Sequence, residues 1–123
     1  MAYMLLVMEP VGQREERPIE LGHEAYDKMV KYGEGLAARG ILKAADSLGP
    51  TRKGTRVTVR DGKPAMLDGP FSEAKEVIGG FSVIDVDDLD AAIAMVKTWP
   101  MLELPGNSVE IRPMVVDYSH MEQ

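Results

Sequence analysis

The chain has 123 residues, 45% of them apolar and 28% charged, with no Cys and a formal net charge of −6. A chain of this size suits one compact domain, residues 1–123, that buries roughly 65% of its unfolded surface without a covalent staple. The missing Cys excludes thiolate catalysis, disulfides and Cys-ligated zinc or iron–sulfur centres and fits a reducing compartment. The acidic balance argues against affinity for nucleic acid or an anionic membrane, because phosphate binding rests on Lys and Arg.

The apolar run Tyr3 to Met8 predicts a strand covered on both faces and central to its sheet. The stretch from Met1 lacks a basic start, reaches Glu9 almost at once and is too short for a signal sequence or a membrane span, so a cytoplasmic protein is expected. Pro10 to Pro18 has no period and reads as a loop. A helix follows from about Glu20 to Arg39, with Leu21, Ala25, Met29, Leu36 and Ala37 on one stripe beside Tyr32 and with Gly40 as its stop. Gly33 and Gly35 weaken its middle by about 1 kcal/mol each relative to Ala, so packing must hold it.

Ile41 to Leu48 predicts a strand ending at Gly49-Pro50, and Thr55 to Arg60 a second one continuing the same edge. Arg52, Lys53, Arg56, Arg60 and Lys63 form the one basic cluster; alternation puts Arg56 and Arg60 opposite Val57 and Val59, as in a half-solvated strand. Asp61-Gly62 is a hairpin signal, because both residues tolerate the positive φ of a type I′ turn. The return strand, Lys63 to Leu67, contains Pro64 and must lie at an edge. After the turn Asp68 to Phe71, Ser72 can cap a helical turn holding Glu73, Ala74, Lys75 and Glu76, and Gly79-Gly80 releases the chain. Phe81 to Val86 predicts another buried strand. Asp87 and Asp90 then suggest a capping box for a helix Asp88 to Lys97, with Leu89, Ala92, Ile93 and Val96 on its stripe and Trp99-Pro100 at its end. Ser108 to Pro113 closes the pattern, turning Val109 and Ile111 one way and Glu110 and Arg112 the other.

The skeleton is α+β, β-α-β-(hairpin)-β-α-β: the split βαβ pattern of ferredoxin-like folds with an extra hairpin and an antiparallel sheet. Two helices cover one face of such a sheet, yet the two central runs are apolar on both. A second copy is the economical cover, giving a homodimer, a dimeric α/β barrel whose cavity suits a small ligand.

The stretch Asp68-Gly69-Pro70-Phe71-Ser72-Glu73-Ala74-Lys75-Glu76, followed by Ile78, Gly79, Gly80 and Phe81, resembles the signature of the YCII-related family, in its DGPF-domain branch. Tyr3-Met4-Leu5-Leu6-Val7, Gly40-Ile41-Leu42, Arg56-Val57 and Val109-Glu110-Ile111-Arg112-Pro113 extend the likeness over nearly the whole chain. The resemblance implies a dimeric ferredoxin-like fold and no single reaction. Some relatives act on muconolactone-type compounds, and DGPF proteins are often encoded beside extracytoplasmic-function sigma factors. Shorter members pair a His on the first helix with an Asp for acid–base work. Asp68 matches that motif, whereas His23 lies about two turns upstream of the family's His, in a region here occupied by Met29.

His23 and Asp68 are accordingly the candidate catalytic residues, and Tyr32, Phe71, Lys75, Glu76 and Arg112 the candidate ligand contacts. Each also has an ordinary structural job. Asp68 can tie its own turn, Tyr32 can be core with a tethered hydroxyl, and Lys75 and Glu76 can be a solvated pair. Arg112 could grip a carboxylate if the cavity reaches it, and His120 near the chain end suggests no role. The spacing of His and carboxylates suggests no metal, and no phosphate-binding loop or nucleophile elbow calls for a cofactor. Two functions stay open: acid–base chemistry of the lyase or isomerase type on a small anionic molecule, or a non-catalytic ligand-binding or regulatory module tied to a sigma-factor system.

Overall fold

The computed structural model describes residues 1–70 and 75–115. Strand β1 (Ala2–Pro10) buries Tyr3, Leu5, Val7 and Glu9 on one face and leaves Met4, Leu6 and Met8 half-buried on the other. It is longer than its apolar run suggests, because the alternation continues through a charged residue. The segment expected as a loop holds the end of β1 and a single helical turn, α1 (Gln13–Glu16).

Helix α2 (Ile19–Ala38) buries Ala25 and Leu36. It ends where Gly40, at φ 71°, lets Ile41 N–H reach Leu36 O at 2.9 Å and Gly40 N–H reach Ala37 O at 3.0 Å, a Schellman closure that a side chain at Gly40 would strain. Strand β2 (Leu42–Ser47) follows. The hairpin of β3 (Thr55–Arg60) and β4 (Lys63–Asp68) turns at Asp61 and Gly62, with φ of 53° and 75° as a type I′ turn requires. The hairpin does not continue the edge of β2. Gly49-Pro50 and a 3-10 turn at Thr51–Lys53 redirect the chain, and β3 and β4 form a two-stranded sheet of their own.

Strand β5 (Glu76–Asp85) starts earlier than expected, so Glu76 lies in a strand and Gly79-Gly80 sit inside the ladder rather than releasing it. The pairing passes from Val7↔Gly80 to Met8↔Ile78, which leaves Gly79 as the extra residue of a bulge. Helix α3 (Leu89–Val96) is capped by Asp88, not Asp87: its carboxylate accepts from Ala91 N–H at 2.8 Å. Ala92 and Val96 are buried, while Leu21 on α2 and Leu89 and Ile93 on α3 are exposed, so both apolar stripes are narrower than their sequence periods.

Strand β6 (Ser108–Pro113) completes a four-stranded sheet in the order β2-β5-β1-β6, each neighbouring pair antiparallel. Helix α2 joins β1 to β2 across β5, and α3 joins β5 to β6 across β1, which is consistent with a ferredoxin-like fold carrying an inserted hairpin. Leu5, Ile84 and Trp99 are fully buried in the layer between sheet and helices, together with Tyr3, Val7, Leu36, Ala92 and Val96. Tyr32 packs edge-on against Trp99 with ring centroids 5.1 Å apart. On the opposite face the register groups Met4 with Val83 and Arg112, and Leu6 with Phe81 and Glu110; no described helix covers this face.

Candidate functional site

Where β1 ends and β5 begins beside the start of α2, the sheet and helix part to leave a cleft of about 890 Å³, within the range of small-molecule sites. Its helix side carries Arg17, His23, Tyr26 and Val30, and its sheet side Ala45, Ser47, Gly80 and Ser82. The residues on α2 repeat at helical spacing, a second stripe beside the one that packs on the core.

Glu9 and Arg14 close one end. Alternation along β1 turns Glu9 to the helix side, where its side chain is 4% exposed, and Arg14 on α1 meets it with Nε 2.7 Å from Oε1. The same guanidinium donates from Nη1 to Leu48 O and from Nη2 to Gly79 O, the latter at 2.7 Å. Arg14 therefore ties the end of β1, the exit of β2 and the entry of β5 together. A methyl on Gly79 would lie 2.7 Å from the Glu9 carboxylate and 3.0 Å from Arg14 Nη2, so the clamp and the glycine require each other. Each nitrogen of Arg14 makes one contact, which uses three of its five N–H donors within the clamp.

Arg17 differs. Its Nη1 is buried at the cleft and has no hydrogen-bond partner among the described residues. A buried guanidinium nitrogen without an acceptor carries a desolvation cost that an anionic ligand would relieve. His23, one helical turn after Ile19 at the start of α2, is an exposed residue of the cleft wall.

Within one chain the residues singled out from sequence are dispersed. His23 lines the cleft, whereas Asp68 lies exposed at the base of the hairpin and accepts from Thr55 Oγ1 at 3.2 Å. The Tyr32 hydroxyl is tied to Thr98 Oγ1 at 2.5 Å and to Met95 O at 3.2 Å, on the α3 side of α2. Lys75 is exposed and its carbonyl accepts from Val11 N–H at 3.3 Å; Glu76 opens β5 opposite Pro10. Arg112 is exposed on the open sheet face and pairs with Glu110 at 3.3 Å. Phe71, the Ser72 cap with Glu73 and Ala74, and His120 lie outside the described residues. Glu9, Arg14 and Arg17 were not among the candidates, although the period of β1 extends to Glu9.

Among the described residues no three His, Asp or Glu side chains stand together to hold a metal ion, and no helix is long and apolar enough to cross a membrane.

Fold and cleft together define a small α+β protein with ferredoxin-like strand order and a pocket between its longest helix and the sheet. The family model of the YCII-related domain matches residues 1–115, and the chain belongs to that family. It is also similar to an uncharacterized protein of Rhizobium meliloti (strain 1021), 31% identical over 77 residues. That alignment covers 63% of this chain and 62% of the relative, so the chain spans less than two thirds of the relative's length.

Proposed function

We propose that the cleft between α2 and the sheet binds a small anionic molecule, with Arg17 as the anchor of its charged end and His23 as the proton donor or acceptor on its wall. The observation that carries this is the buried Nη1 of Arg17, without a partner among the described residues, in a cleft whose lining mixes apolar groups with Glu9, Arg14, His23, Glu34 and Asp46. Arg14 is neutralised by Glu9 and held by two carbonyls, whereas the buried Nη1 of Arg17 has no acceptor among the described residues, so the anchoring is assigned to Arg17. A carboxylate seated there would place the rest of the ligand along Tyr26 and Val30, within reach of the imidazole for acid–base chemistry of the lyase or isomerase type. The protein works in the cytoplasm as one domain of the DGPF branch, on the strength of the Asp68-Gly69-Pro70 turn and the absence of Cys. It is a two-fold dimer through the open sheet face, where Met4, Leu6, Phe81 and Val83 need a cover.

Titration calorimetry with muconolactone and benzoate tests the anchor. Arg17→Gln is expected to weaken binding about tenfold or more, the effect of one charge-assisted hydrogen bond. His23→Gln is expected to keep the affinity and to remove any turnover of the lactone. Equal affinity for the wild type and Arg17→Gln would overturn the assignment. Binding that depends on Arg17, with no lactone turnover in the wild type, would leave a non-catalytic ligand-binding module, the role expected of a partner in a sigma-factor system.

A further inference from the structure

The β3–β4 hairpin is sided. Its register pairs Thr55 with Asp68, Val57 with Met66 and Val59 with Pro64, so these residues share one face; Arg56, Thr58, Arg60, Lys63, Ala65 and Leu67 form the other. Every residue of both strands is exposed, and the first face presents Val57, Val59 and Met66 at 59%, 70% and 76% exposure. A lone two-stranded hairpin is marginal in water, and an apolar face kept so open calls for a cover.

It does not lie on its own cleft, whose lining includes none of its residues. At the root Leu48 N–H donates to Gly79 O at 2.9 Å, and Arg14 holds both Leu48 O and Gly79 O. Gly69 N–H to Gly54 O at 2.8 Å closes the base of the ladder. The clamp thus holds the exit of β2, from which the hairpin departs, to the body. Charge names the occupant. Arg52, Lys53, Arg56, Arg60 and Lys63 stand against Asp61 and Asp68, so segment 51–68 carries +3 and the remainder of the chain −9, together −6. The body of a second copy is the acidic surface such an arm would be steered to. That body also presents an uncovered apolar stripe along α2, with Ile19, Tyr26 and Val30 at 72%, 58% and 41% exposure.

We propose that the hairpin is an exchange arm: each copy lays its Val57–Val59–Met66 face on the Ile19–Tyr26–Val30 stripe of the other. The contact is reciprocal under a two-fold axis and is a second interface of the dimer, beside the one proposed through the open sheet face. It roofs the cleft and carries Asp68, which shares the docking face, toward the other copy's His23. The site is then completed only in the dimer. The docking stands by itself, whereas the joining of Asp68 to His23 rests on the cleft being the binding site.

Because the chain has no Cys, engineered thiols report the contact cleanly. Val59→Cys and Val30→Cys are made as separate chains, mixed and oxidised. A disulfide-linked dimer formed in the mixture and in neither variant alone is the expected result. No bridge in the mixture, bridges within either variant alone, or a bridge inside one chain of the Val30→Cys/Val59→Cys double variant would each overturn the exchange. As a second measurement, Val57→Lys/Val59→Lys is expected to leave the melting temperature of the body in place and to raise the dimer dissociation constant at least tenfold by sedimentation equilibrium. An unchanged constant would overturn it. Benzoate binding by Arg17→Gln is read separately, so failure of the arm and failure of the anchor are distinguishable.

Discussion

The four-stranded body and the two-stranded hairpin follow the same rule of alternation with opposite results. In β1 the period of two puts Tyr3, Leu5, Val7 and Glu9 under the helices. In β3 and β4 it sets Val57, Val59 and Met66 opposite Arg56, Arg60 and Lys63, with Leu67 left on the basic face, yet both faces stay in solvent. Alternation states which residues share a face; only the connections decide whether a second layer arrives to cover it. The body has α2 and α3 crossing its own strands. The hairpin has Gly49-Pro50 at one end and Gly69-Pro70 at the other, with a single 3-10 turn and no α-helix between them.

The widest gap between the two regions is expected from equivalent truncations. Leu5→Ala removes a fully buried side chain from the central strand and should cost about 3–5 kcal/mol, the upper range for a core that cannot collapse around the void. Val59→Ala, at 70% exposure, should change unfolding of the isolated subunit by less than about 0.5 kcal/mol. Urea denaturation of both variants at low protein concentration measures the contrast. A cost at Val59 close to that at Leu5 would mean that the arm is already covered within one chain.

A smaller effect belongs at the junction. Arg14→Met strands the Glu9 carboxylate in a buried position and removes the side-chain donor to the Leu48 and Gly79 carbonyls, the latter keeping its bond from Leu48 N–H. Removing one partner of a buried pair costs about 3–5 kcal/mol, and the 26% exposure of Arg14 lowers the expectation to about 2–3. The double variant Glu9→Met/Arg14→Met should recover most of the loss, since no charge is left behind. A double-mutant cycle by denaturation checks the coupling, and additive losses would show that the two side chains act independently.

These contrasts also explain what could be read in advance. Strand order, the two crossing helices and the type I′ turn at Asp61-Gly62 follow from periodicity and turn chemistry. The YCII-related family was legible from the Asp68-Gly69-Pro70-Phe71 stretch. Glu9 was within reach, because the alternation that buries Val7 also buries the next residue but one; its charge ended the apolar run and hid it. Arg14 and Gly79 were not legible, since their partners are brought together only by the bulge in β5 and the turn of α1. Arg17 lay in a segment without a period. The cleft followed the second stripe of α2, Ile19, His23, Tyr26 and Val30, whereas the stripe through Leu21 and Ala25 drew attention by being more apolar. The separation of Asp68 from His23 within one chain depends on the 3-10 turn at Thr51–Lys53, whose direction no local pattern states.

The smallest effect expected is at the surface of the body, where Lys28 Nζ on α2 donates to Glu103 Oε2 at 2.9 Å in the turn after α3. The hydrogen bond and the charge of Glu103 hold the ammonium pKa above its usual 10.5. A raised lysine pKa means that folding favours the protonated form. The contribution is therefore whole below the unfolded value and is lost as pH rises through the folded one. Both side chains are more than half exposed, so solvent and salt screen the pair and its effect on stability is slight. Melting curves of the wild type and Lys28→Met should accordingly differ little at pH 7 in low salt, and the difference should close in high salt or once pH has passed well above 10.5. A gap that stays unchanged in high salt and through alkaline pH would rule out the ion pair as its source and would assign the effect of the substitution to the packing of the lysine stem.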